Sequence, residues 1–130
     1  MKKAGIWIDQ HKAVVVFLDN GDERVSKFLS QLPTRITSYD RHFQHGEQNN
    51  IYPERITEYD KHLHKFYRKV AYAVDDAENV FIFGPDTARY ELKKEMNKTK
   101  DRYAKIRGVE RAHKMTEEEI IKKVKSFFKL

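Results

Sequence analysis

The residues of this 130-residue chain that could do chemistry fall into a few groups. The first is a polar cluster around a glycine, His45-Gly46-Glu47-Gln48-Asn49-Asn50, near the middle of a stretch from Leu32 to Tyr52 that has no steady apolar period. Connections beyond roughly 12–15 residues inside a compact domain are usually functional or disordered, so residues 32–52 read as a functional or mobile loop held by a scaffold. The second is a run of cations: Arg89, Lys93, Lys94, Lys98, Lys100, Arg102, Lys105, Arg107, Arg111 and Lys114. Residues 87–115 carry 10 Lys/Arg against 4 Asp/Glu, whereas residues 1–86 carry 12 against 13 and residues 116–130 carry 4 against 3. The excess of +6 therefore sits in one segment. A clustered basic patch attracts phosphate backbones; the plainer reading is a solvated helix and strand face. Tyr90 and Tyr103 lie within that segment, where they either stack on exposed bases or pack against the sheet.

The remaining titratable residues point to little. His62 and His64 are two apart on an expected helix and face different directions, and His42 and His45 lie in the loop. Helical metal sites commonly pair histidines at i, i+4, so no metal and no cofactor is expected. There is no cysteine, which excludes disulfides and thiolate zinc sites. No apolar run approaches a membrane span. The apolar stretch after Met1-Lys2-Lys3 ends at Asp9, too soon for a secretory signal. A cytoplasmic protein with no membrane partner is the expectation.

The elements that must position these residues are legible in the pattern. Lys3–Asp9 reads as a strand and Gln10-His11-Lys12 as a turn. Ala13–Asp19 (AVVVFLD) reads as a strand buried on both faces. Asn20-Gly21 is the preferred dipeptide of a tight hairpin, and Glu23–Ser30 returns as a third strand. Pro53 suits a first helical position. Ile56, Tyr59, Leu63, Phe66, Val70 and Ala73 recur at spacings of three and four, which predicts a helix from about Pro53 to Asp76. Val80–Phe83 reads as a buried strand. Asp86 or Thr87 can cap a helix running to about Asn97, with Ala88, Leu92 and Met96 inward. A fifth strand falls within Arg102–Ala112, and Thr116-Glu117-Glu118-Glu119 has the form of a capping box opening a last helix. Trp7, Phe81 and Phe83 fall in strands and read as core.

One domain over residues 1–130 follows: an α/β fold with a mixed sheet of about five strands in the order β-β-β-α-β-α-β-α, helices packed on it. Ribonuclease H-like folds use that order. Nucleases of that fold carry a metal-binding carboxylate where Asp9 ends the first strand. A two-metal site needs several converging acids, and Glu58, Asp75, Asp76 and Asp86 have no spacing that singles them out.

Taken together, these segments resemble the middle domain of eukaryotic and archaeal class 1 peptide-chain release factors and of related ribosome-rescue factors. AGIWIDQHKAVVVFLDNGDERVSKFLSQLP is similar to the three-strand opening of that domain. HGEQNNIYPERITEYDKHLHKFYRKVA is similar to the segment that begins with the Gly-Gly-Gln motif and enters the long helix. VFIFGPDTARYELKKEM is similar to the family's strand, glycine turn and helix. The resemblance implies that Gly46 stands at the first glycine and Gln48 at the glutamine, whose backbone N–H would stabilise developing charge during peptidyl-tRNA ester hydrolysis. Glu47 replaces the second glycine, and a Cβ there restricts φ. The resemblance thus implies a ribosome- or structured-RNA-binding protein (tRNA or rRNA), in rescue or regulation, rather than a competent hydrolase. It also implies a partner subunit supplying the other release-factor domains. On this reading Arg89, Lys93, Lys94, Lys98, Lys100, Arg102, Lys105 and Arg107 bind RNA. The alternatives are hydrolysis through Gly46-Glu47-Gln48, a metal-dependent nuclease using Asp9, and a protein-interaction scaffold.

Overall fold

Asn20 and Gly21 have φ of 51° and 94°, the left-handed conformations that a two-residue hairpin requires. They join β2 (Lys12–Asp19) to β3 (Asp22–Leu29), paired antiparallel from Asp19 opposite Asp22 to Lys12 opposite Leu29. β1 (Lys2–Ile8) pairs antiparallel with β2, from Lys2 opposite Asp19 to Ile8 opposite Ala13. The turn between them is closed by Asp9. Its Oδ1 accepts from the backbone N–H of His11 and of Lys12, each at 2.8 Å, and its own N–H donates to the Lys12 carbonyl at 3.0 Å. A computed structural model of the chain describes residues 2–30 and 52–129. In the helix that opens at Tyr52, side chains are described from residue 59 onward.

That helix, α1 (Tyr52–Ala73), stops three residues before the expected end. Asp75 N–H donates to the Tyr72 carbonyl at 3.1 Å and Ala77 N–H to the Val74 carbonyl at 3.0 Å. These i to i−3 bonds tighten the chain out of the helix and aim it into β4 (Asn79–Gly84). β4 lies parallel to β1, Lys3 opposite Asn79 and Trp7 opposite Phe83. Asp86 then caps α2 (Ala88–Met96), its Oδ1 accepting from Ala88 N–H at 2.8 Å. The expected strand within Arg102–Ala112 occupies only its second half, as β5 (Ile106–Arg111), parallel to β4. A short helix, α3 (Lys100–Lys105), precedes it with Thr99 as cap, so the order is β-β-β-α-β-α-α-β-α. The capping box forms: Thr116 Oγ1 accepts from Glu119 N–H at 3.2 Å, and Thr116 N–H donates to Glu119 Oε1 at 2.8 Å. It starts α4 (Glu117–Phe127).

The result is a five-stranded mixed sheet in the order β3-β2-β1-β4-β5, covered on both faces. On one face Ala4, Ile6, Ile8, Val15, Val80 and Ile82 meet α1 and α2 through Phe66, Tyr67, Val70, Val74, Leu92 and Met96. On the other, Trp7, Val14, Val16, Phe81 and Phe83 meet Ile120 and Val124 of α4. The Phe127 ring stacks on Phe81 at 3.9 Å between centroids. Among the described residues no helix is long and apolar enough to cross a membrane.

α4 approaches the sheet over a glycine. A Cβ at Gly5 would lie 2.2 Å from Val124 Cγ2 and 2.6 Å from its Cγ1. Valine is stiff at χ1, so the helix must move. Gly5→Ala is therefore expected to lower stability by about 1–3 kcal/mol, read as a reduced denaturation midpoint. Gly21→Ala tests the complementary case: nothing lies within 4 Å of its Cβ position, so its cost is backbone strain alone, roughly 1–2 kcal/mol.

Candidate nucleic-acid interface

The Gly46-Glu47-Gln48 cluster, with His42 and His45, lies outside the described residues. The described residues do fix where that segment is attached. Ser30 N–H donates to the His11 carbonyl at 2.9 Å, and Tyr59 Oη donates to Gln10 Oε1 at 3.4 Å. The chain leaves β3, and α1 runs past, at the end of the sheet where β1 finishes.

Several of the acids considered for the alternative metal-dependent reading have other partners. Asp9 is buried and closes its turn; Asp86 caps α2. Asp75 accepts both Nε and Nη2 of Arg102, at 2.8 and 3.0 Å. The Glu58 side chain lies outside the described residues. Among the described residues no three His, Asp or Glu side chains are placed to share a metal ion. The acids near the β1 and β4 ends act on Tyr67 instead. Burial, then Glu91, Asp86, Tyr59 and Asp9, pushes its hydroxyl well above the ordinary range, keeping it neutral.

The structure divides the basic segment into two populations. Arg102 grips Asp75 with a bidentate fork, Lys105 Nζ donates to the Asp75 carbonyl, and Arg107 Nε donates to Asn79 Oδ1 at 2.5 Å. These three tie α3 and β5 to the turn between α1 and β4. Arg89 Nη1 donates to the Asp86 carbonyl at 2.5 Å, and its guanidinium lies 4.4 Å from the Tyr90 ring centroid. Lys94 and Lys98 form pairs within the helical segment, to Glu91 at 3.8 Å and to Glu95 at 3.0 Å. Lys93, Lys100, Arg111 and Lys114 have no ionic partner among the described residues.

A second basic surface lies on α1, within a segment whose summed charge is close to zero. Lys61, Lys65, Arg68 and Tyr72 follow one another at spacings of four, three and four, and no Asp or Glu occurs from Lys61 to Val74. That spacing puts them on one helical face. All four are exposed, Tyr72 at 73%, and none of the three cations is ion-paired among the described residues. Carboxylates on either side, Glu54, Glu58 and Asp60 before it and Asp75, Asp76 and Glu78 after it, cancel the stripe in any sum over residues 1–86. The acid-free run KHLHKFYRK was the available signal. In the structure Lys61, His62, His64, Lys65 and Arg68 join Lys98 to line a groove of about 640 Å³.

The opposite face is electrically different. There Lys125 meets Glu23 at 2.6 Å, Lys123 meets Glu110 at 3.2 Å, and Lys27 meets Glu117 at 3.5 Å. Each pair joins α4 to a strand. Lys27, Lys123 and Lys125 are thus paired across elements, while Lys61, Lys65 and Arg68 of α1 face solvent.

No protein-family model matches the sequence, and no curated protein matches it. Solved structures do. The archaeal translation termination factor aRF1 superposes with a TM-score of 0.63 at 13% identity, over 99% of this chain and 35% of that one. Pelota from Archaeoglobus fulgidus superposes with a TM-score of 0.58 at 11% identity, over 96% of this chain and 31% of that one. The chain thus spans about a third of each protein and shares the fold of that third.

The Asp75–Arg102 fork has a pH signature. Hydrogen bonding to Arg102 holds the Asp75 carboxyl below its ordinary value of 3.8, and burial opposes this more weakly. A depressed folded pKa contributes stability above the unfolded value that is lost as pH falls through the folded one. The stability difference between wild type and Asp75→Asn is therefore expected to be largest near neutral pH. It should shrink as pH drops below about 4, measured by denaturation across a pH series.

Proposed function

We propose that this chain is a translation-related module that binds the ribosome or structured RNA through the α1 groove. The observation that carries the reading is the groove itself: Lys61, His62, His64, Lys65, Arg68 and Lys98 line it, and no acidic residue does among those described. Exposed cations on one face attract a phosphate backbone and release its counterions on contact. The fold shared with a translation termination factor and with Pelota supports the ribosome as the source of that RNA. Because the chain covers about a third of either protein, the reading includes a partner that supplies the remaining functions. It also gives the Gly46-Glu47-Gln48 segment a functional contact separate from binding through the groove, with Glu47 opposing hydrolysis. Of the residues expected to bind RNA, Lys98 lines the groove, Lys93, Lys94 and Lys100 extend the basic surface, and Arg89, Arg102, Lys105 and Arg107 also hold partners within the fold.

Co-sedimentation with ribosomal subunits across a salt series tests this. Binding should weaken with salt, and Lys65→Glu with Arg68→Glu should abolish it at physiological ionic strength. Single neutralisations should each lower the salt slope by about 0.7–1. Gln48→Ala should leave binding unchanged. Binding that ignores both salt and the groove substitutions would refute the reading. In a peptide-release assay on ribosomes, release that rises in Glu47→Gly and vanishes with Gln48→Ala would instead establish hydrolysis.

A further inference from the structure

On the far side of α2 from the basic groove lies a second depression, of about 430 Å³, between α2, α3 and the edge strand β5. Tyr90 and Tyr103 line it together with Ile106 and Val109. Both tyrosines are large rings left half in water, 49% and 53% exposed, while Trp7, Phe81 and Phe83 are fully buried. Lys93 and Arg107 border the same depression. Lys93 has no ionic partner among the described residues, and Arg107 is oriented by its bond to Asn79. The Arg89 guanidinium lies over the Tyr90 ring, which rigidifies it. No carboxylate lines the depression.

We propose that this depression takes an unpaired base of single-stranded RNA, stacked on Tyr90 and Tyr103, with Lys93 and Arg107 meeting the flanking phosphates. The chemistry favours this occupant over an apolar peptide. Two half-exposed aromatic rings beside two cations, with no carboxylate between them, suit the bases and phosphates of a single strand. A base in a duplex is already stacked and cannot enter. The proposal rests on the nucleic-acid reading above and deepens it: the groove holds backbone by charge, and the tyrosines require a strand or loop with bases turned out.

Fluorescence anisotropy on the full-length protein separates the two sites, using a labelled oligouridylate and a labelled blunt RNA duplex. Tyr90→Ala and Tyr103→Ala should each weaken oligouridylate binding about tenfold and leave duplex binding unchanged. Tyr90→Phe and Tyr103→Phe should keep wild-type affinity, since the ring and not the hydroxyl stacks. Lys65→Glu with Arg68→Glu should weaken duplex binding; failure of that arm alone overturns the groove reading. The tyrosine proposal is overturned if wild type does not bind oligouridylate at low salt. Wild-type affinity in both alanine variants, or an equal loss on the duplex, overturns it too. Unchanged denaturation midpoints in all variants ensure that the comparison reports binding.

Discussion

β1 is hydrogen-bonded along both edges and covered on both faces, and the rest of the molecule takes its position from that. Its antiparallel partner β2 and its parallel partner β4 fix the plane of the sheet. Its alternating side chains then split the interior: Ala4, Ile6 and Ile8 face α1 and α2, while Trp7 faces α4. Gly5, on the α4 side, has no side chain, and that absence lets Val124 press onto the backbone. Trp7 Nε1 also donates to the His113 carbonyl at 3.2 Å, holding the approach to α4 against the strand. A sheet strand buried on both faces leaves no freedom of register, because a one-residue slip would exchange the two cores.

The electrostatic character of the surface follows from that packing. Once Phe66, Val70 and Val74 are turned to the sheet, the Lys61–Lys65–Arg68 stripe is obliged to face water. Charges on one exposed face reinforce one another over a Debye length of about 8–10 Å. Ion pairs such as Lys94–Glu91 are partly exposed, and such pairs are worth about 0–1 kcal/mol, so a phosphate can displace them at small cost. The Arg102–Asp75 fork is different in kind. It is bidentate and less exposed, and it closes the crossover from β4 to β5 against the end of α1.

Elements with strong local signals were readable in advance. The Asn20-Gly21 hairpin, the Asp86 cap and the Thr116–Glu119 capping box each depend on residues within a turn of one another. The apolar period of α2 placed Ala88, Leu92 and Met96 correctly, all fully buried. α3 was not readable: it is a six-residue helix with no buried residue, so it has no apolar stripe to betray it. α1 ends early because i to i−3 bonds from Val74 and Asp75 replace the continuing helical pattern, while Val74 stays buried. On β3, Val25 and Phe28 turn to opposite cores, and Leu29, aligned with Val25, lies beyond the reach of α4 at 64% exposure.

By itself, then, the sequence determined the turns, the caps, the strand and helix types and which faces are apolar, because those are contests between neighbours a few residues apart. It also determined the acid-free run on α1, though only an inspection finer than a block charge would find it. Which cations remain available was decided by the tertiary structure alone. Arg102 is held by an aspartate 27 residues away and Arg107 by an asparagine 28 residues away. Lys98 is brought to Lys61 and Arg68 only because α1 and α2 pack side by side on one face of the sheet. Charge is a property of residues, but a binding surface depends on which charges folding leaves unneutralised, and that is settled by contacts distant in sequence.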